Sequence, residues 1–112
     1  MTTIATLKNP AIDDEEAMLR KTLATIDVKR KALESESEAI ASELLAEPEP
    51  GVAPMGIDTP LVDANGYPRG DVDVYRARSL RGRLAVIRTD HKNLMRETED
   101  LLVQLAALKV RG

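Results

Sequence analysis

A step of seven residues organises the apolar positions of the chain. From Ile12 the step lands on Leu19, Ile26, Leu33 and Ile40, and from Leu80 it lands on Ile87, Leu94, Leu101 and Leu108. Two series of this kind predict two long amphipathic helices, each burying one seam. The companion stripe, four residues further on, is more polar. It reads Glu16, Leu23, Arg30, Ser37 and Leu44 in the first segment, and Leu84, His91, Thr98 and Leu105 in the second. Polar seam residues cost stability but fix register.

Helix one is predicted over about 12–47. Asp13 and Asp14 serve as cap or first-turn residues, Glu15 and Glu16 sit at the favourable end of the helix dipole, and Pro10 lies just outside. Pro48, Pro50, Gly51 and Pro54 force it to stop. Helix two is predicted over about 71–110, starting at Asp71 or Asp73 after Pro68, Arg69 and Gly70. Each helix spans roughly 50 Å at 1.5 Å per residue.

Charge decides how the two pair. Six Glu and no Lys or Arg lie between Glu34 and Glu49, whereas six Arg and two Asp lie between Arg69 and Arg88. Antiparallel packing sets these blocks side by side, and also brings Asp13 to Glu16 near Lys109 and Arg111; parallel packing sets acid against acid. The predicted fold is therefore all-α: an antiparallel two-helix coiled-coil hairpin, one helical domain across 1–112, with a long, partly ordered connecting loop over 48–70.

That connector holds five of the six prolines and most of the glycines. Its first part, from Glu47 to Pro54, reads as a flexible or extended spacer. Its second part is too apolar for a solvated loop, with Met55, Ile57, Leu61, Val62 and Tyr67 running into Val72, Val74 and Tyr75. Asn65-Gly66 marks a tight turn whose flanks pair briefly. Two roles suit the segment: folding back to cap the open end of the hairpin, and contacting a partner.

Composition narrows the chemistry. The chain has no Phe, Trp or Cys and only two Tyr, so its core must be built from aliphatic side chains. Without cysteine there is no disulfide scaffold, thiol nucleophile or thiolate metal site. The single histidine, His91, cannot make a metal site alone and reads as a polar seam residue facing Arg30. Asp63, Asn65, Asp71 and Asp73 miss the spacing of a calcium loop. No phosphate loop, nucleophile elbow or paired carboxylate cleft appears, so neither an enzyme nor a cofactor site is expected. A net charge of −3 gives no overall attraction to nucleic acid, and the Arg cluster lacks interleaved aromatic residues. Met1 to Ile4 lacks the basic start of a secretory signal, and no apolar run is long enough to span a bilayer. A cytoplasmic and nuclear location is expected. Arg69, Arg76 and Arg83 share one helical face, which leaves some guanidiniums free to meet an acidic patch on a protein partner.

One run carries more specific information. It comprises Pro60-Leu61-Val62-Asp63, then Gly66-Tyr67-Pro68-Arg69, then Asp71-Val72-Asp73-Val74-Tyr75 and Arg78, and finally Asp90-His91-Lys92. In this order and spacing it resembles the N-terminal domain of the 26S proteasome non-ATPase regulatory subunit 9 family, over roughly residues 55–105. The resemblance implies an assembly chaperone for the proteasome regulatory particle. Its partner would be an AAA ATPase subunit of the base, regulatory subunit 6A, bound through the ATPase's C-terminal domain so that premature contacts are blocked. Family members carry a PDZ domain after the helical domain, whereas this chain stops at Gly112. The expected partner-binding residues are Tyr67, Pro68, Arg69, Asp71, Asp73, Tyr75 and Arg78, with Arg76 and Arg81 behind them. For each, the competing role is to shape the turn or cap helix two. A monomer is expected; the alternatives are a self-associating structural coiled coil and a general protein-interaction module.

Overall fold

Seven-residue periodicity becomes two helices, α1 (Pro10–Leu45) and α2 (Val74–Arg111). The structure is a computed structural model that describes residues 10–111. The readings made on Met1 to Ile4 and on Gly112 lie outside these residues. The helices pack against each other as an antiparallel hairpin. Among the described residues there is no strand, only an isolated antiparallel bridge between Val62 and Pro68. No helix among them is long and apolar enough to cross a membrane.

Pro10 opens α1 rather than lying outside it. At the first helical position its missing N–H costs no hydrogen bond and its fixed φ is already helical. Asp13 lies in the first turn, and Lys109 and Arg111 lie in the last turn of α2, each complementing its helix dipole. Helix α2 starts at Val74 because Asp73 caps it. The Asp73 carboxylate accepts a bond from the Arg76 N–H at 2.9 Å, and its carbonyl takes the first helical bond from the Ala77 N–H at 3.0 Å.

Two compact units make up the chain, one of residues 32–90 and the other of residues up to 31 with those from 91 onward. In the first unit, Ile40, Leu44, Met55, Leu61, Ala77, Leu84 and Ile87 form a buried cluster. Leu33, Ile57, Val72, Val74 and Leu80 pack against it partly covered. The connector thus folds back and supplies Met55 and Leu61 to the helix seam, which is how an aromatic-free core gains its third side. In the second unit, Ile26, Leu105 and Leu108 are buried, while Ile12, Leu19, Leu23, Leu94 and Leu101 are half-buried. The polar seam positions Glu16, Arg30, His91 and Thr98 are half-buried there too. Glu16 forms its ion pair with Arg20 one turn along α1.

Candidate protein-docking site

The connector is more ordered than a spacer. The Gly56 N–H donates to the Leu44 carbonyl at 2.8 Å, which satisfies one of the open acceptors at the end of α1. Gly56 has φ +79°, and a Cβ there would stand 2.0 Å from the Thr59 hydroxyl, so only glycine fits this return. The stretch from Glu47 to Pro54, expected to be flexible or extended, is also held. Val52 N–H bonds back to the Glu49 carbonyl, and the Arg69 guanidinium donates to the carbonyls of Ala53 and Pro54 at 2.8 and 3.1 Å.

Asn65-Gly66 makes the predicted turn. The Gly66 N–H reaches the Asp63 carbonyl at 3.0 Å with φ +85° at Gly66, and the Asp63 N–H reaches the Tyr67 carbonyl at 2.7 Å. Asp63 also turns its own carboxylate onto the N–H groups of Asn65 and Tyr67. That local ring of bonds is what the short polar side chain of an Asx turn provides. Arg69 N–H then donates to the Leu61 carbonyl and closes the small hairpin.

The cations were expected to leave some guanidiniums free, and for two of them the structure corrects this. Arg76 pairs with Glu43 and Arg83 with Glu36, each through two bonds; those of Arg83 measure 2.6 and 2.8 Å. The residue numbers of the two pairs add to the same value, as antiparallel alignment requires. The pairs are exposed, so they set orientation more than they stabilise. Arg81 turns to the connector instead, donating to the carbonyls of Gly56, Met55 and Thr59 at 3.0, 2.9 and 2.8 Å. Arg69 forks onto Asp71 as well as onto the two carbonyls already named. The sequence showed blocks of charge here but gave no sign that backbone carbonyls of the connector would take up Arg69 and Arg81. Glu36 and Glu43 were also missed individually, although their spacing of seven mirrors that of Arg76 and Arg83.

The same pairs set an acid response. Hydrogen bonding to Arg83, Arg76 and Arg69 holds Glu36, Glu43 and Asp71 below their ordinary values. A carboxylate depressed in the folded state contributes fully above its unfolded pKa, about 4.3 for Glu, and loses that contribution as pH falls through the folded value. An acid titration of helical circular dichroism from pH 6 to 2 is therefore expected to show loss of stability below about pH 4. Replacing both Glu36 and Glu43 with Gln should flatten part of that dependence. An unchanged acid profile in the double variant would show that the ladder contributes nothing.

Set against these engaged groups, a few residues of the junction point outward. Tyr67 is 69% exposed and Tyr75 82% exposed, and Pro68 and Arg78 are exposed beside them in sequence. Among the described residues, Arg78 has no ion pair or side-chain hydrogen bond. Arg69, Asp71 and Asp73 instead hold the hairpin and the start of α2 in place. The nine expected positions therefore divide into an exposed set with unbonded side chains, Tyr67, Pro68, Tyr75 and Arg78, and a hydrogen-bonded set, Arg69, Asp71, Asp73, Arg76 and Arg81, of which Arg69 and Arg81 are half-buried. A hydrogen-bonded junction that presents two bare tyrosines and an uncompensated guanidinium has the residue types of a protein-binding anchor.

The Nas2 N-terminal domain family matches residues 23–106. The chain belongs to this family. It is similar to the 26S proteasome non-ATPase regulatory subunit 9 of Mus musculus, at 41% identity over 81 residues, covering 72% of this chain and 35% of that protein. The Homo sapiens protein of the same name is 37% identical over 81 residues, again 72% and 35%. The Drosophila melanogaster protein is 46% identical over 50 residues, 45% of this chain and 23% of that one. The chain spans about a third of the length of these Mus musculus and Homo sapiens relatives. No solved structure matches it.

Proposed function

We propose that this Nas2 N-terminal domain is the ATPase-docking part of a proteasome assembly chaperone. It binds the C-terminal domain of an AAA ATPase subunit of the base, regulatory subunit 6A, and blocks premature contacts while the 19S regulatory particle is built. Its role is binding rather than catalysis, in the cytoplasm and nucleus. The observation that carries the reading is the junction between connector and α2. Its hydrogen-bonded residues lock the backbone, through Arg69 on Asp71 and Asp73 at the helix cap, while Tyr67 and Tyr75 are held out in solvent. Ordering this surface before a partner arrives lowers the entropy cost of binding. Arg78, with no acidic neighbour to satisfy it, favours an acidic residue on the partner.

The test is a titration of the chain with the isolated C-terminal domain of that ATPase. Tyr75→Ala with Arg78→Glu is expected to weaken binding at least about tenfold, as loss of an aromatic anchor and reversal of a charge would do. Far-UV circular dichroism should stay unchanged, because both side chains are exposed. A folded double variant with the parent's affinity would sink this assignment of the surface.

A further inference from the structure

The second unit, residues up to 31 with those from 91 onward, carries a separate surface. One flank of α2 there bears a cleft of about 440 Å³, and a neighbouring one of about 290 Å³ reaches Leu23 of α1. Both clefts are lined by Met95 and Leu102, which are 43% and 51% exposed. No segment among the described residues covers them. Arg96 and Glu99 stand between the two apolar residues along the same flank and line the larger cleft, with Lys92 at its edge one turn before Arg96. Among the described residues, neither has an ion pair, although they are three apart on one helix. Met95 is a flexible, polarizable filler suited to a contact that must be made and broken.

We propose that this flank is a self-association surface, occupied by the same flank of a second copy of the chain. The charge order argues for that occupant. A partner of one sign would meet one of Arg96 and Glu99 favourably and the other unfavourably. An antiparallel copy, related by a two-fold axis near Thr98, meets both. It sets Glu99 of the second copy against Arg96 and Leu102 of the second copy against Met95. The symmetry then repeats each contact, which is how an isologous interface doubles its interactions. A parallel copy would instead set Arg96 against Arg96. The surface is a single helix flank, smaller than a standard interface, so the dimer forms at high local concentration and the chain is monomeric when dilute. It uses none of the residues proposed to dock the ATPase.

Sedimentation equilibrium from about 10 μM to about 1 mM reads this association directly. The average mass is expected to rise with concentration from that of one chain, 12.3 kDa, towards twice that. Arg96→Glu alone and Glu99→Arg alone should each weaken association at least about tenfold, since each sets like charges against one another. The double reversal, Arg96→Glu with Glu99→Arg, should restore it. Circular dichroism of all three variants confirms that the helices remain. A mass that stays at one chain throughout overturns the proposal. So does a dimer that ignores both single reversals, or one that the double reversal fails to restore.

Discussion

Leu44→Ala is expected to lower stability by about 3 kcal/mol, within the range of roughly 2–5 for truncating a fully buried leucine. Leu44 has no exposed surface, and it sits where the end of α1 meets Met55 and Leu61 of the connector. Its carbonyl also accepts the Gly56 N–H, so the backbone there is pinned and the site cannot easily collapse around the missing methyls. For a domain near 100 residues that loss lowers the midpoint of thermal unfolding by on the order of 15 °C. Leu45, the next residue, is exposed, and Leu45→Ala should stay within about 0.5 kcal/mol of the parent. Thermal melts followed at the helical signal compare the two. Equal midpoints would show that the connector does not close the core around Leu44.

The second large effect is expected at Arg81. Its three bonds to the carbonyls of Met55, Gly56 and Thr59 tie the connector to α2. Hydrogen bonds to a charged donor are worth roughly 1.5–3 kcal/mol each, but the Thr59 carbonyl lies at an exposed residue, where water can replace the guanidinium. Arg81→Ala should therefore cost about 2–3 kcal/mol in total. Arg81→Lys should recover only part of this, because an ammonium cannot present the planar fork that reaches separate carbonyls. Arg78→Ala, on the exposed side of the same turn, is the control. Amide exchange at Gly56, which is bonded to Leu44, should speed up in Arg81→Ala and not in Arg78→Ala. Unaltered exchange there would mean that Arg81 does not clamp the connector.

Much of this fold was legible in the chain. Every position of the seven-residue stripes, including the polar ones, lies at least half-buried, because the spacing alone decides which face of a helix meets its neighbour. Ala77 extends the companion stripe one step before Leu84, and it is fully buried where α2 begins. The opposed charge blocks gave the antiparallel direction. They did not give the pairs, because block charge fixes only the sign of a neighbour. The connector was legible in its turn at Asn65-Gly66 and in its apolar character. Its path was not, since it depends on a positive φ at Gly56 and on carbonyls that accept from Arg69 and Arg81. A backbone acceptor is present at every residue and so leaves no mark in sequence. The same gap explains the docking residues. Tyr67 and Tyr75 could be picked out as candidates, but which neighbours hold them and which face outward followed only from the bonds of Arg69, Asp71 and Asp73.

The placement of the two tyrosines also decides how this domain can be watched. With no tryptophan or phenylalanine in the chain and both phenol rings largely in solvent, its near-ultraviolet signature is almost blind to the packing of its own core. Folding has to be followed through the peptide backbone. The phenols, both on the junction proposed to meet the ATPase, are left to respond to whatever covers them. The chain thus carries a built-in optical reporter whose signal separates occupancy of that surface from folding.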